Sequence, residues 1–396
     1  MIEKKRIITP TIWLLSLVSL FADVASEMLY PVIPIYLQNI GFSVFLIGIL
    51  EGVAEATAGF SKGYFGNWSD HIGRRLPFVR MGYFLSALSK PLMVVFTYPL
   101  WVFGARTTDR IGKGLRTAPR DALLSSETSP QTKAQVFSFH RGFDTLGAVF
   151  GPLIALAFIY FYPGKLTSLF YIAVIPGMLA VLITYAIKEK KFTPKTTQQS
   201  PGFFSYFKYW GKAPIEYRKL ITPLIIFALF NSSDMLLLLK VKESTDSNTT
   251  TIMVYVFFNL VYAISSFPLG LLADRINMKI IFLGGLILFS ISYFAMAQTQ
   301  SNLAFYIIFG IYGLYMAATE GISKAWLSNM VKKEETGTAI GLFVALQSLS
   351  LMIASAFAGL IWSLYGAAYA FILTAIVSLL VFIYMLIFVR KPLKHS

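Results

Sequence analysis

Seven acidic residues stand inside long apolar stretches of the chain, where charged side chains are unexpected. They are Asp23, Glu27, Glu51, Glu55, Asp144, Asp234 and Glu320. If these stretches cross a membrane, each carboxylate at bilayer depth costs at least about 2.5 kcal/mol, so it requires a basic partner, a water-filled path or a role in carrying protons. Three arginines, Arg106, Arg110 and Arg141, occur in similar stretches. This much buried charge favours a protein that moves a solute.

Four of the acids form pairs at helical spacing. Asp23 and Glu27 are four residues apart, as are Glu51 and Glu55, so each pair shares one face of a helix. Two ionised carboxylates on one face repel each other, and each pair therefore requires a bound proton or a basic neighbour. We expect Glu51 and Glu55 to act at a gate or in hydrogen bonds between helices.

Acidic and basic residues are mixed in two later stretches. The first contains Arg106, Asp109 and Arg110, and the second contains His140, Arg141 and Asp144. We predict that Asp23 or Glu27 binds a proton and thereby releases a switchable arginine, which is Arg106, Arg110 or Arg141. The alternative is a static lattice of ion pairs that holds the helices together.

The composition indicates a membrane protein with many spans. The 396 residues are 56% hydrophobic and only 13% charged, with a net charge of +15 and a mean hydropathy of +0.66. The chain has no cysteine and three histidines, which excludes thiolate chemistry and disfavours a multi-histidine metal centre. No GxxxxGK[ST] string is present, which argues against a built-in ATPase. We interpret the first apolar stretch as a retained helix.

Twelve membrane spans, each near the length that a bilayer requires, can be placed on the sequence. They lie near residues 11–38, 44–66, 76–97, 99–119, 134–161, 167–188, 219–240, 250–273, 278–298, 302–326, 337–362 and 367–390. A polar connection at 189–218 separates two six-span halves, 1–188 and 219–396. Its aromatic and basic run FFSYFKYW predicts either a segment along the membrane surface or a flexible linker.

Lysine and arginine are concentrated in alternate loops. The short loops after spans 1, 3, 9 and 11 carry neither residue, whereas both ends of the chain and the connections after spans 2, 4, 6 and 10 carry several. The excess of positive charge on cytoplasmic loops predicts that both termini are cytoplasmic. The predicted fold is therefore an all-α polytopic membrane protein with 12 transmembrane helices in two pseudo-symmetric six-helix bundles.

An internal repeat relates the two halves. The segment GYFGNWSDHIGRR follows span 2, and GLLADRINMK occupies the equivalent place after span 8. This pattern, together with the 6+6 division, resembles the signature of the major facilitator superfamily over essentially the whole chain, although His71 stands where the family prefers Arg or Lys. The signature residues are Gly66, Asp70, Gly73, Arg74 and Arg75 in the first copy and Gly270, Asp274 and Arg275 in the second.

The resemblance implies a gating role for this motif. Gly66 permits two helices to approach closely, and Asp70 caps a neighbouring helix or pairs with an arginine, which closes the cytoplasmic side in one conformation. The simpler alternative is that Arg74 and Arg75 only anchor the loop on the cytoplasmic side.

Two further segments resemble family patterns in part. Gly147, Gly151 and Pro152 of span 5 match part of a longer glycine-rich pattern of exporters that run as antiporters, but Ser138 and Ala155 stand where that pattern has glycine. The alternative is a packing motif without directional meaning. Arg106 matches the superfamily's span-4 arginine, which the family links to proton handling.

The second half has few deep polar residues. Glu320 and Lys324 are four residues apart and are expected to neutralise each other near the cytoplasmic end of span 10. Asn231 and Asp234 lie in span 7, and Asp234 is the best candidate in this half for contact with a substrate or with a basic residue across the cavity.

These observations together predict a secondary active transporter of the cell inner membrane that exports a small molecule by proton antiport. We expect a monomer in the lipid bilayer, driven by the proton gradient, with no cofactor and no nucleic acid partner. The alternatives are proton-coupled nutrient import and export of a metal ion or metal chelate, with Asp23, Glu27, Glu55, His140 and Asp144 as ligands. An enzyme is not expected, because no set of nucleophile, base and orienting residue stands out.

Overall fold

The computed structural model describes residues 7–30, 32–42, 44–189, 202–231 and 234–389. Within these ranges the side chains of residues 34, 35, 38, 44, 45, 47–49, 51, 52, 235, 248, 249 and 252 are outside the description. The basic ends of the chain, residues 190–201 of the polar connection and the side chain of Glu51 therefore lie outside it, and predictions that concern them stay predictions.

Regular structure in the described residues is entirely helical. Two short 3₁₀ helices, Ser205–Lys208 and Lys333–Glu335, accompany the α-helices. The α-helices are α1 Pro10–Glu27, α2 Val32–Asn39, α3 Val44–Ile72, α4 Leu76–Val95, α5 Pro99–Ser126, α6 Lys133–Phe161, α7 Leu166–Ile172, α8 Val174–Ala186, α9 Tyr209–Lys212, α10 Ile215–Ala228, α11 Asp234–Thr245, α12 Asn248–Arg275, α13 Met278–Gln298, α14 Asn302–Ser328, α15 Thr336–Tyr365 and α16 Ala367–Phe388.

Local sequence signals explain where several helices begin and end. Thr9 caps α1 by accepting a hydrogen bond from the Ile12 amide at 3.3 Å, and Asn277 caps α13 in the same way. The helix α3 ends before Gly73, whose φ of +70° is a left-handed conformation that glycine adopts without strain. Gly366, with φ +96°, precedes α16. These boundaries lie close to the predicted span ends.

Each predicted span coincides with one helix or with a pair of consecutive helices. Nine helical stretches of the described chain are long and apolar enough to cross a membrane. The predicted spans outside that set correspond to α3, to α5 and to the pair α10 and α11. The helix α5 is less apolar than the nine because it carries a charged face, which begins at Arg106 and ends near Asp121.

The helices form two compact units. The first unit contains Met1–Thr128, Phe143–Tyr209 and Lys332–Ala345. In it, α5 packs against α3 and α4 at small residues: a Cβ at Gly112 would lie 2.7 Å from the Gly82 carbonyl oxygen, and a Cβ at Gly114 would overlap Ser61. This close approach leaves the charged face of α5 enclosed by its neighbours.

The second unit contains Ser129–Gly142, Trp210–Val331 and Leu346–Ser396. Its interior is aromatic, because Phe289, Tyr293, Tyr312 and Tyr315 are all at most 2% exposed. The Phe289 and Tyr293 rings stack with centroids 4.3 Å apart, and Tyr312 lies 5.2 Å from Tyr315. This interior is filled by side chains that pack on one another.

The compact units differ from the predicted halves at two segments. Residues 129–142, which include the start of α6, belong to the second unit because they pack against α12 and α14. Residues 332–345, which include the start of α15, belong to the first unit because they pack against α3. The segment 202–209 also packs on α3, where Phe203 contacts the Tyr64 ring and Asn67 donates a hydrogen bond to Ser205.

Candidate functional site

A pair of carboxyl groups lies between α1 and α6 in the first unit. The side chains of Asp23 and Asp144 are hydrogen-bonded to each other. A hydrogen bond between two carboxyl groups requires a proton on one of them. Ser19 donates a second hydrogen bond to Asp144 Oδ1 at 2.8 Å, and Glu27 is close enough to interact electrostatically with Asp23. The arrangement can therefore hold and release a proton.

Two glycines of α6 create this contact. A Cβ at Gly147 would lie 2.6 Å from Asp23 Cβ, and a Cβ at Gly151 would lie 2.9 Å from Glu27 Cβ. Both distances are shorter than any side chain tolerates without movement, so only glycine permits α1 to lie this close to α6. Pro152 follows directly within α6. The glycines predicted from the partial exporter pattern thus lie against the two acids of α1.

Arg120 of α5 lies beside the pair of carboxyl groups. Its Nη1 atom lies 3.9 Å from Asp144 Oδ1 and donates to Ser19 Oγ at 2.9 Å, while Nη2 lies 3.0 Å from Asp121 Oδ1. Arg120 is only 7% exposed. The charged group beside the carboxyl pair is therefore a guanidinium already tied to a third carboxylate.

A second group of charges surrounds Asp109 at the other end of α5. Lys90, Arg106 and Arg110 lie 3.7, 3.6 and 3.3 Å from its carboxylate. Arg110 also pairs with Glu55 of α3 at 3.0 Å. The predicted deep arginines of span 4 thus contact Asp109, and one of them also contacts Glu55.

The contacts of the predicted switchable arginines are described in part, and their pairing with Asp23 or Glu27 stays a prediction. Arg106 and Arg110 contact Asp109, and Arg141 belongs to the second unit. Two basic residues that were not predicted lie beside Asp23 and Asp144: Arg116, which interacts electrostatically with Asp23, and Arg120. Their positions could have been found from the sequence, since Arg116 and Arg120 continue the face of α5 that carries Arg106 and Arg110 at helical spacing.

Arg141 of α6 contacts two residues of the second unit. Its Nε atom donates to the Tyr262 hydroxyl at 2.6 Å, and its Nη2 atom lies 4.0 Å from Glu320 Oε2. Both charged side chains are about one-quarter to one-third exposed, at 30% and 26%. His140, the preceding residue, is buried, and Lys324 is partly buried. The predicted neutralisation of Glu320 by Lys324 stays a prediction.

Asp234 lies against the aromatic interior of the second unit. The Tyr312 hydroxyl donates to Asp234 Oδ1 at 2.6 Å, and Asn231 donates to the Tyr315 hydroxyl at 3.3 Å. Asp234 is also in electrostatic contact with Arg141 and Glu320. These tyrosines are hydrogen-bond partners that the sequence analysis did not select, because nothing in the local sequence distinguishes them from other aromatic residues.

The first copy of the repeated motif caps a helix. Asp70 Oδ2 accepts hydrogen bonds from the Thr338 amide at 2.7 Å and from the Thr338 hydroxyl at 3.0 Å, at the start of α15. Asp70 Oδ1 pairs with Arg75 at 3.1 Å, and Arg75 donates onward to the Lys333 carbonyl at 2.7 Å. Gly66 contacts Gly337 in the same place, and Arg74 is exposed.

The second copy of the motif makes the equivalent contact in the second unit. Asp274 accepts hydrogen bonds from the amides of Ala134 and Gln135 at 3.0 and 2.8 Å, at the start of α6. A Cβ at Gly270 would lie 2.5 Å from Ser138 Cβ, whereas Arg275 is exposed. In each motif, the glycine packs closely against the helix that the aspartate caps. That helix is α15 for the first copy and α6 for the second.

The described part of the chain contains no group of three or more His, Asp or Glu side chains arranged to hold a metal ion. The observed charge groups instead combine carboxyl groups with lysines and arginines. Such groups can bind protons and anions.

Comparison with known proteins agrees with this architecture. The family model described as Major Facilitator Superfamily matches residues 15–245 and 224–396. An uncharacterized MFS-type transporter of Methanocaldococcus jannaschii is 31% identical over 383 residues, which cover 93% of this chain and 94% of the relative. An uncharacterized MFS-type transporter of Bacillus subtilis is 26% identical over 47% of this chain and 45% of its own length.

Solved transporter structures share the fold at low sequence identity. The human organic anion transporter MFSD10 superposes with a TM-score of 0.81 at 14% identity, covering 95% of this chain and 98% of its own. The proton:xylose symporter XylE gives 0.73 at 16% identity over 96% of each chain, and the fucose:proton symporter FucP of E. coli gives 0.71 at 12% identity over 96% and 98%. The chain is an all-α, multi-pass membrane transporter, and it belongs to the major facilitator superfamily.

Proposed function

We propose that this protein is a proton-coupled secondary transporter that exports a small molecule by antiport with protons, through alternating access. The observation that carries the proposal is the hydrogen bond between the Asp23 and Asp144 carboxyl groups. Two acids held in contact inside a membrane protein bind a proton, and the loss of that proton leaves like charges side by side.

The neighbouring arginines supply the response to that proton. When the proton leaves, the second negative charge attracts Arg120, which is 3.9 Å from Asp144, and Arg116, which already interacts with Asp23. Arg120 also pairs with Asp121 on α5. A change in the pairing of Arg120 therefore alters the forces on α5 as well as those on α1 and α6. Proton binding thereby changes the forces among three helices, which is the property that a coupling site requires.

The proposed direction, export, rests on the partial resemblance of the α6 segment to the pattern of antiporting exporters. Antiport requires that the proton and the solute compete, so solute affinity is expected to rise as pH rises. Symport, as in proton-coupled nutrient import, predicts the opposite pH dependence. We further propose twelve spans and cytoplasmic termini, on the basis of the loop charges and the helix bounds. An inner-membrane location and a monomeric state are also part of the proposal.

Proton coupling is tested in everted membrane vesicles from cells that produce the full-length protein. Vesicles are acidified by respiration, and compounds to which production of the protein confers resistance are added while acridine orange fluorescence is followed. We expect such a compound to release protons from wild-type vesicles, and Asp144→Asn and Asp23→Asn to abolish the release.

A matched control is Asp246→Asn, because Asp246 is exposed and pairs only with Lys242 among the described residues. This control should leave proton release unchanged. Flux that persists with a protonophore, together with normal flux in Asp23→Asn and Asp144→Asn, would refute the proton role.

A further inference from the structure

Charged side chains of both signs lie at the edge of the aromatic interior of the second unit. The Arg141 guanidinium lies 4.0 Å from Glu320 Oε2, and both groups interact electrostatically with the Asp234 carboxylate. Lys324 follows Glu320 by four residues and shares its face of α14. We call Arg141, Lys324, Asp234 and Glu320 the mixed-charge group.

Two buried tyrosines hold the Arg141 and Asp234 side chains of the mixed-charge group. The Tyr262 hydroxyl accepts a hydrogen bond from Arg141 Nε at 2.6 Å, and the Tyr312 hydroxyl donates one to Asp234 Oδ1 at 2.6 Å. The Phe258 ring lies 6.2 Å from the Tyr262 ring and 5.3 Å from the Tyr312 ring, and all three rings are at most 2% exposed. Arg141 and Asp234 are therefore fixed to one packed aromatic framework.

The charged side chains of the group are accessible, unlike these tyrosines. The Arg141 and Glu320 side chains are 30% and 26% exposed, and Asp234 and Lys324 are also partly exposed. Ionisable side chains within membrane spans face the interior of the helix bundle or a water-filled cavity and avoid the lipid. The mixed-charge group therefore lies where a solute in a water-filled path can contact it.

Opposite charges at one place favour a solute that itself carries both charges. The Arg141–Glu320 distance of 4.0 Å exceeds that of a hydrogen bond, so a solute that separates these side chains disrupts little direct bonding between them. A solute with a single charge would be attracted by one of the two and repelled by the other. A solute carboxylate can bind the guanidinium in bidentate geometry, while an ammonium group of the same molecule binds the carboxylates of Glu320 and Asp234.

We infer that the mixed-charge group binds a zwitterionic solute with an ammonium and a carboxylate group, such as an amino acid or a short peptide. The inference rests on the proposed transport function and names the chemical class of the transported solute. It does not depend on the direction of proton coupling.

The test compares solutes that differ in charge on a common phenyl skeleton, chosen because the neighbouring interior is aromatic. Phenylalanine is the zwitterion, phenethylamine lacks its carboxylate, and 3-phenylpropionate lacks its ammonium group. Phenylalanylglycine is a second zwitterion, with more widely separated charges. Binding to the full-length protein in neutral detergent is measured by isothermal titration calorimetry at neutral pH and constant ionic strength. We expect at least one zwitterion to bind saturably and about tenfold or more tightly than either single-charge analogue, because it gains a further charge contact.

Two variants should change this preference in different ways. Arg141→Gln removes the contact with the solute carboxylate, so the zwitterion should bind no more tightly than phenethylamine. Glu320→Gln removes a contact with the ammonium group, so the preference for the zwitterion over 3-phenylpropionate should decrease about tenfold. Asp234→Asn should weaken the binding of zwitterion and amine alike.

Matched controls separate binding from folding. Size-exclusion chromatography shows whether each variant is folded, and if Arg141→Gln or Glu320→Gln does not fold, the other variant decides the outcome. Lys165→Gln removes an exposed lysine outside the group and should leave all affinities unchanged. Asp144→Asn should lose proton release in vesicles yet still bind the zwitterion in detergent, so this inference and the proposed proton coupling fail separately.

A zwitterionic lipid headgroup, such as that of phosphatidylethanolamine, is another source of paired charges. The titrations are therefore repeated in nanodiscs of phosphatidylglycerol with and without phosphatidylethanolamine. Failure of both soluble zwitterions to bind saturably, with or without thermal stabilisation by phosphatidylethanolamine, would overturn the inference. A single-charge analogue that binds wild type as tightly as the zwitterions, or a preference unchanged in both Arg141→Gln and Glu320→Gln, would also overturn it.

Discussion

Gly147 of α6 lies directly against Asp23 of α1. A Cβ at position 147 would be 2.6 Å from Asp23 Cβ, 2.8 Å from the Leu20 carbonyl oxygen and 2.9 Å from the Val24 amide nitrogen. Three contacts below 3 Å, two of them with backbone, leave no room for a methyl group. The approach of the two helices at this glycine is what permits the carboxyl groups of Asp23 and Asp144 to meet.

The first prediction concerns this contact. Gly147→Ala should force α1 and α6 apart, lower stability by about 1–3 kcal/mol through overpacking, and weaken proton-driven flux because the carboxyl pair separates. The control is Gly284→Ala in α13, where a Cβ meets nothing within 4 Å. That change should stabilise by about 0.5–1 kcal/mol, as alanine does in a helix interior. Thermal unfolding in detergent and vesicle flux measure both effects, and equal melting temperatures for the two variants would contradict the packing role.

The second prediction compares the two copies of the repeated motif. Asp70 caps α15 and also pairs with the buried Arg75, whereas Asp274 caps α6 without an ion pair among the described residues. Asp274→Asn should therefore cost about 1 kcal/mol, as the loss of a charged cap does. Asp70→Asn should cost more, about 3–5 kcal/mol, because a buried guanidinium loses its carboxylate.

Melting temperatures of the purified variants test the order of the two losses. Arg75→Gln together with Asp70→Asn removes both charges and should recover part of the stability that Asp70→Asn alone loses. Equal losses for Asp70→Asn and Asp274→Asn would show that the ion pair with Arg75 adds nothing to the cap.

The fold was accessible from the sequence because its signals are local and repeated. Apolar runs of span length placed the helices, and the two copies of the motif at Asp70 and Asp274 indicated the family. Gly147 and Gly151 belong to a recognisable pattern, and their spacing of four residues places them on one face of α6. The pattern does not predict which helix packs against these glycines, because that depends on tertiary packing.

The pairing of charges was harder to predict for the same reason. Asp23 or Glu27 is predicted to pair with Arg106, Arg110 or Arg141, and that pairing stays a prediction. The neighbours of Asp23 that the structure shows are Asp144, Glu27 and Arg116, of which the sequence did not indicate Arg116. Helical spacing fixes the face on which a residue lies and leaves the facing residue on another helix undetermined. Lys90 is an example. It lies in the largely apolar helix α4, and it contacts Asp109, which is nineteen positions further along the chain.

The third prediction uses two arginines that differ in burial. Arg120 is 7% exposed and lies between Asp121 and Asp144. Arg120→Gln should lower stability by about 3–5 kcal/mol, because it removes the positive charge from a buried ionic group. Arg141 is 30% exposed in its side chain, and its contact with Glu320 is long, so Arg141→Gln should cost only about 1 kcal/mol.

The comparison is made by thermal unfolding at low and high salt. The loss in Arg120→Gln should not depend on salt, since buried charges are screened little. A loss in Arg141→Gln as large as that in Arg120→Gln would contradict the assignment of Arg120 as the more strongly stabilising residue.

The fourth prediction concerns two tyrosines in the connection between the predicted halves. The buried Tyr206 hydroxyl has no hydrogen-bond partner among the described residues, whereas the Tyr209 hydroxyl donates to Glu335 at 3.2 Å. Tyr206→Phe should therefore leave stability unchanged or raise it, and Tyr209→Phe should lower it by about 1 kcal/mol. Thermal unfolding at pH 7 measures both changes.

Alkaline unfolding provides an independent readout for Tyr206. Burial raises the pKa of Tyr206 from its ordinary 10.0 to about 12. Between these values the unfolded chain loses the phenolic proton while the folded chain keeps it, so this residue's contribution to stability is complete below pH 10 and decreases as pH rises toward 12. Tyr206→Phe lacks this term, and its melting temperature should fall less than that of wild type between pH 9.5 and pH 11.5. An equal fall in both proteins would mean that the Tyr206 hydroxyl is hydrated in the folded protein.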